Sequence, residues 1–200
     1  VQFAMNDITE RKRMEDQVRQ LAFHDPLTGL PNRRLLKDRL HQAMAISMRH
    51  QQFGAVMFLD LDNFKPLNDV HGHETGDLLL IEAAGRLKQC VRAMDTVARL
   101  GGDEFVVVIN ELADTLETST ARARLIAEKI RTSLSAPYLL VQKNSEDAAS
   151  IEHHCTVSIG VALFFGQESS QDEIIGAADG AMYQAKESGR NQFCIVPGND

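Results

Sequence analysis

Residues 99–109 read RLGGDEFVVVI: a pair of glycines, two consecutive carboxylates, then an unbroken apolar run. Paired glycines supply the positive φ that a tight hairpin requires. The stretch is therefore expected to join two strands, over residues 96–100 and 105–109, with the acids at the tip and the second strand anchored in a core. A second apolar run, GAVMFLDLDNF at 54–64, also ends in acids and is expected to be a central strand with Asp60 and Asp62 at its carboxyl end.

Adjacent strands would bring Asp60, Asp62, Asp103 and Glu104 together, where unpaired charges repel and destabilise the fold. A divalent cation resolves that conflict, because carboxylates on Mg²⁺ neutralise one another's charge and leave positions for water and phosphate oxygens. On this reading Gly101 and Gly102 let backbone approach a ligand. Two plainer readings stand beside it. The acids keep a sheet edge soluble, or they hold a structural calcium, although the D-x-D-x-D-G spacing of an EF-hand loop is absent.

The rest of the chain supplies the frame. DPLTGLPNRR (25–34) packs two prolines and a glycine into a turn, after which Asn32 caps a helix with Leu36, Leu40, Ala43 and Ser47 on one face. Further helices are expected over 75–91, 118–135 and 171–188, and strands over 138–142, 155–165 and, at an edge, 192–196. The polar stretch 143–154 reads as a loop or a hairpin extension. The sum is an α/β (α+β) domain with helices covering a sheet, starting near His24. Ahead of it, a strand belonging to something else is followed by a helix with Asp7 as N-cap and Glu10 at capping-box spacing. Met14, Val18 and Leu21 form a seam suited to pairing with a second helix, or the helix is a solvated connector.

Composition limits the function classes. Two hundred residues at 44% hydrophobic content suffice for one well-cored domain with a short appendage. Acids outnumber bases 28 to 21, for a formal charge of -7, and no basic run appears, so nucleic acid is not an expected partner. A phosphorylated ligand would need metal ions and a few placed cations. Cys90, Cys155 and Cys194 never stand in a C-x-x-C spacing, which argues against a disulfide framework or zinc knuckle and for a cytoplasmic setting. No apolar stretch reaches the roughly 18 residues of a membrane span, so no direct membrane contact is expected. The chain starts with Val and reads as a piece of a longer protein. His71, His73, His153 and His154 lack partners at zinc spacing and are expected to order a loop or face solvent.

RLGGDEF, DPLTGLPNRR, FLDLDNFKPLNDVHGHETGD and AADGAMYQAKESGRNQF together resemble the GGDEF family of diguanylate cyclases, four motifs in the expected order over residues 24–196. DITERKRMEDQ resembles the linker by which PAS sensor domains join such cyclases. The resemblance implies that residues 1–23 are the end of an upstream PAS-like sensor domain with its signalling helix. Residues 24–200 would be a cyclase domain of nucleotide-cyclase and polymerase-palm-like fold, with a central mixed, mostly antiparallel sheet. It implies condensation of two GTP into cyclic di-GMP with loss of two pyrophosphates, across a homodimer.

Residue by residue, Asp60, Asp103 and the backbone carbonyl of Leu61 match the ligands of two Mg²⁺ or Mn²⁺ ions. Glu104 matches the acid that helps deprotonate the attacking 3′-hydroxyl, so Asp60, Asp103 and Glu104 are the expected catalytic set. Asn68 and Asp77 match the guanine readers, Asp77 as a buried acceptor. Phe64 and Lys65 match loop residues near the phosphates. Lys186 and Arg190, one helical turn apart, match the cations on the terminal phosphates; the plainer reading is an ordinary cationic helix end. Arg92 and Asp95 in RAMD match an inhibitory site for the product, cyclic di-GMP; the plainer reading is an ion pair at i, i+3. Asp103 stands where many members carry Glu. The alternative function is a module that only binds GTP or cyclic di-GMP, and such a module should have lost Asp60, Asp103 or Glu104.

Overall fold

The structure is a computed structural model that describes residues 20–141 and 150–196. The start of the Asp7-capped helix with its seam positions Met14 and Val18, the PAS-linker resemblance and most of the polar 143–154 stretch lie outside the described residues, while residues 20–23 are helical and the third seam position, Leu21, is exposed.

Asn32 starts helix α1 (Arg33–His50) as expected: its side-chain oxygen accepts from the amides of Arg34 and Leu35, which have no partner within the helix. Strand β1 (Gly54–Asp62), a short helix α2 (Phe64–His71) and helix α3 (His73–Cys90) follow. Strands β2 (Thr96–Gly101) and β3 (Glu104–Ile109) make the expected hairpin, with Gly101 at φ 148 and Gly102 at φ 52 in the turn. Helix α4 (Leu116–Ser135) and strands β4 (Tyr138–Val141), β5 (Ser150–His153) and β6 (Thr156–Phe164) come next. Helix α5 (Gln171–Glu187) opens on a capping box between Ser170 and Glu173, and strand β7 (Phe193–Val196) closes the domain.

The main sheet has the order β2-β3-β1-β6-β7 and is antiparallel except where β7 runs parallel to β6. The mixed, mostly antiparallel sheet expected from the sequence is thus what forms. β4 and β5 pair separately, and β5 falls within 143–154, in line with the hairpin extension rather than the loop of the two readings.

β1 lies at the centre with all nine residues buried, and strand alternation divides its side chains between two cores. Ala55, Met57, Leu59 and Leu61 join Leu79 and Leu87 of α3 and Ala127 and Ile130 of α4. Val56 and Phe58 join Leu36 and Leu40 of α1 and Ala178 and Met182 of α5. Each of the larger side chains among these, Val, Leu, Ile, Met or Phe, contributes about 1.5–3 kcal/mol, enough to fix the register of the strand. That register continues into the acids: Asp60 and Asp62 fall on the α5 side. Helix α5 rests directly on β6, where a Cβ at Gly160 would lie 1.9 Å from the Ala178 carbonyl oxygen. This close approach brings the carboxyl end of α5 to the carboxyl end of β1.

Candidate active site

Asp60 stands directly opposite Glu104 on β3 and Ser158 on β6. Opposed residues of an antiparallel pair project to the same face, so Asp60 and Glu104 share one face of the sheet. The Leu61 amide donates to the Asp103 carbonyl oxygen at 3.3 Å, which ties the hairpin tip to the end of β1. From α5, Lys186 places Nζ 2.8 Å from Asp60 Oδ1. Asp60 is only 8% exposed. Burial pushes its carboxyl pKa up, the Lys186 ammonium pulls against that, and the charges of Asp103 and Asp62 add to the rise.

Asp62, expected in the same acid cluster, does not belong to it. It is 2% exposed, and its oxygens accept from Thr156 Oγ1 at 2.7 Å, Ser158 Oγ at 2.7 Å and the Asn191 amide at 3.1 Å. Its hydrogen-bonding capacity is taken up inside the fold, which leaves Asp60, Asp103 and Glu104 as the acids at the strand end.

The tip is held by a residue that sequence reasoning passed over. Arg99 donates from Nε and Nη2 to the Gly102 carbonyl oxygen at 3.0 and 2.8 Å, and from Nη1 to both Asp25 oxygens at 2.9 and 3.0 Å. Asp25 also accepts from the Thr28 amide at 2.8 Å and from Thr28 Oγ1 at 2.6 Å. Burial would raise its pKa, but the Thr28 and Arg99 contacts together hold the carboxyl below the usual carboxylate range.

A second group surrounds the start of α3. The Asn68 side-chain oxygen is buried without a hydrogen-bond partner. A Cβ at Gly76 would lie 1.9 Å from that oxygen and 3.1 Å from the Phe64 ring, so Phe64 and Asn68 close on the bare backbone of Gly76. Asp77, the next residue, is exposed, not buried as expected, because it faces outward from the first turns of α3. Lys65, Gly101, Gly102 and Arg190 are exposed; Asp103, Glu104 and Lys186 are half-buried.

Arg92 and Asp95 do not form the i, i+3 ion pair. Asp95 instead accepts from the backbone amides of Arg92 at 2.9 Å and Asn110 at 3.0 Å. Beside this turn is a cavity of about 590 Å³ whose lining includes Arg39, Lys88, Arg92 and Asp95.

The donors at the end of β1 are all oxygens, the chemistry Mg²⁺ takes, and the Lys186 ammonium already stands as a cation on Asp60. Among the described residues no three acidic, histidine or cysteine side chains converge as a ready-made cage, the histidines included. Mg²⁺ needs only one or two carboxylates and completes its shell with water and phosphate oxygens, so the donor set fits it.

A family model described as diguanylate cyclase, GGDEF domain, matches residues 22–192. The chain belongs to the GGDEF domain family. It is 45% identical over 187 residues to MucR of Pseudomonas aeruginosa, a bifunctional diguanylate cyclase/cyclic di-GMP phosphodiesterase, covering 94% of this chain and 25% of that protein. It is 38% identical over 189 residues to the cyclic di-GMP phosphodiesterase PdeR of Escherichia coli, covering 94% of this chain and 26% of PdeR. The chain thus spans about a quarter of the length of these relatives. Among solved structures it is similar to the coiled coil and GGDEF domain of DgcB from Caulobacter crescentus in complex with c-di-GMP. That match has a TM-score of 0.80 at 27% identity and covers 96% of this chain and 95% of the other. No helix among the described residues is long and apolar enough to cross a membrane.

Proposed function

We propose that this GGDEF domain is a diguanylate cyclase that condenses two GTP into cyclic di-GMP and two pyrophosphates. The observation that carries the reading is the strand register that sets Glu104 opposite Asp60, with Asp103 tied to Leu61 beside them. Asp60, Asp103 and the Leu61 carbonyl would hold two Mg²⁺ or Mn²⁺ ions. When bound, the ions offset the charge that builds on the attacking, equatorial and leaving oxygens of an α-phosphate.

The chain's own groups do the rest. Asn68 meets the guanine with a buried oxygen that nothing in the fold satisfies, and Asp77 accepts from the base at its exposed edge. Phe64 closes the base site against Gly76, and Lys65 lies on the same helix toward solvent. Lys186 and Arg190 take the β- and γ-phosphates, while Gly101 and Gly102 leave room for phosphate oxygens at the backbone. Glu104 accepts the proton of the 3′-hydroxyl. The 3′-oxygen then bonds to the α-phosphorus of the second GTP as the α–β phosphoanhydride bond breaks, and pyrophosphate leaves. Two such steps close the ring.

Each chain offers one such site and the product is a symmetric ring of two nucleotides, so the productive state is a two-fold dimer. The segment before residue 20 is read as the tether of an upstream PAS sensor that aligns the two chains. The substrate implies a cytoplasmic setting. The pocket at Arg92 and Asp95 is read as a site where cyclic di-GMP inhibits its own synthesis. PdeR, named as a phosphodiesterase, is 38% identical, between the bifunctional MucR at 45% and the DgcB structure at 27%, which keeps a purely nucleotide-binding module as the second reading. The presence of Asp60, Asp103 and Glu104 favours the enzyme. Incubating the chain with GTP and Mg²⁺ and identifying the products by mass separates the two: cyclic di-GMP supports the enzyme, and bound but unconverted GTP supports the module.

A further inference from the structure

Beyond Glu187 the chain passes through three consecutive left-handed residues, Gly189 at φ 115, Arg190 at φ 62 and Asn191 at φ 47. Glycine adopts this region freely and asparagine tolerates it, but arginine does so only when its surroundings impose it. Here they impose it through Asn191. Its amide donates to Asp62 Oδ2 at 3.1 Å, and its side-chain oxygen accepts from Arg131 Nη1 at 3.0 Å and Ser135 Oγ at 3.2 Å.

Each of those partners is itself fixed. Asp62 is fastened by Thr156 and Ser158 of β6. Arg131 grips Glu128 with Nε at 2.9 Å and Nη2 at 2.7 Å, which leaves Nη1 for Asn191. On either side, the Arg190 amide donates to the Ala185 carbonyl oxygen at 3.0 Å, and the Gln192 carbonyl oxygen accepts from the Ile159 amide at 3.0 Å. Asn191 is thus held between the sheet and α4, while the Arg190 side chain is exposed and makes no hydrogen bond or ion pair among the described residues.

We propose that Asn191, seated by Asp62, Arg131 and Ser135, is a positioning residue that aims Arg190 at the terminal phosphates of the nucleotide. The turn ends α5 and leads into β7, but the fold makes no use of the arginine side chain that it carries, which gains a purpose if it meets a ligand. Asp62 sits two positions beyond Asp60 on the same face of β1, so one strand end sets both the acid that faces the metal and the backbone that carries the arginine. This inference rests on the reading of Arg190 as a phosphate-binding cation.

Binding of GTP and of GMP, each with Mg²⁺, to the parent, Arg190→Ala, Asn191→Ala, Asn191→Asp and the double Arg190→Ala/Asn191→Ala variant tests it, alongside thermal unfolding. Asn191→Ala should weaken GTP binding about tenfold, as Arg190→Ala does, and leave GMP binding unchanged. The double variant should be no weaker than Arg190→Ala alone, because the two act through one contact. Asn191→Asp keeps the acceptor and the tolerance for left-handed backbone, and should bind GTP like the parent. If Asn191→Ala fails to fold, Asn191→Gly removes the side-chain grip while keeping the backbone, and should show the same GTP loss. Full multiplication of the two single effects, or lowered thermal stability with unchanged GTP binding, overturns the positioning role. A parent that binds no GTP overturns the proposed function itself, and a parent whose GTP binding ignores Arg190→Ala overturns the assignment of Arg190.

Discussion

Asp25 and Arg99 lie 74 positions apart and are joined by two hydrogen bonds at 2.9 and 3.0 Å, while the same guanidinium holds the Gly102 carbonyl oxygen. The turn that opens the domain and the tip that carries Asp103 and Glu104 are therefore fixed to each other. Asp25→Asn should lower stability by about 3 kcal/mol, because it leaves a nearly buried guanidinium without its counter-charge. Since the folded carboxyl is held below its ordinary pKa, this contribution is complete above the unfolded value of about 3.9 and fades as pH falls through the folded one. Denaturant unfolding of parent and variant should show a constant gap from pH 7 to about pH 5 that narrows in stronger acid. A gap that widens on acidification contradicts the assignment.

Lys186 occupies the carboxylate that the metal would need. Lys186→Ala should thus move two affinities in opposite directions. Mn²⁺ binding without nucleotide should tighten several-fold as a competing cation disappears, while GTP binding weakens about tenfold for want of a phosphate partner. Titrations with Mn²⁺ alone and with GTP give both numbers. Parallel losses in the two would mean that Lys186 only supports the fold around Asp60.

The unpartnered oxygen of Asn68 is a cost to the fold unless a ligand meets it. Asn68→Ala should accordingly leave thermal stability unchanged or raised while reducing the preference for GTP over ATP by tenfold or more. Gly76→Ala should lower the preference likewise, since its Cβ would displace that oxygen. The exposed Asp77 should matter less than Asn68. Unaltered discrimination in Asn68→Ala would mean that the base is read elsewhere.

Much of this was legible from local chemistry. Asn32 as a cap, the Gly101–Gly102 turn and the apolar run of β1 each act through neighbours in sequence, so their types suffice. Helix α2 was missed because Asn63 and Pro66 are turn residues; Pro66 is tolerated in the first helical turn, where its missing N–H would have had no partner in the helix. Asp62 looked equivalent to Asp60 because both fall on one face at the end of the same strand. Only the fold reveals that Thr156, Ser158 and Asn191 surround it. The roles of Arg99 and Asp25 were hidden for the same reason: an ion pair across 74 positions leaves no local pattern.

At the cavity beside Arg92, Asp95 is engaged with backbone amides while the Arg92 side chain is exposed and makes no ion pair with it. Arg92→Ala should keep the initial rate and lose the slowing that sets in as cyclic di-GMP accumulates. Progress curves with and without added product measure this. Equal inhibition of parent and variant would make the cavity irrelevant to control.

In the proposed function the acids at the end of β1 convert GTP. Pyrophosphate release from GTP and Mg²⁺, followed over a range of chain concentrations for the parent, Asp103→Ala and Glu104→Ala, tests it most directly. One pyrophosphate should appear per GTP consumed, at a rate per chain that rises with concentration. Both variants should lose roughly a hundredfold or more, with unfolding profiles close to the parent's. Parent-like pyrophosphate release by either variant, or none from the parent while GTP binds, would contradict it.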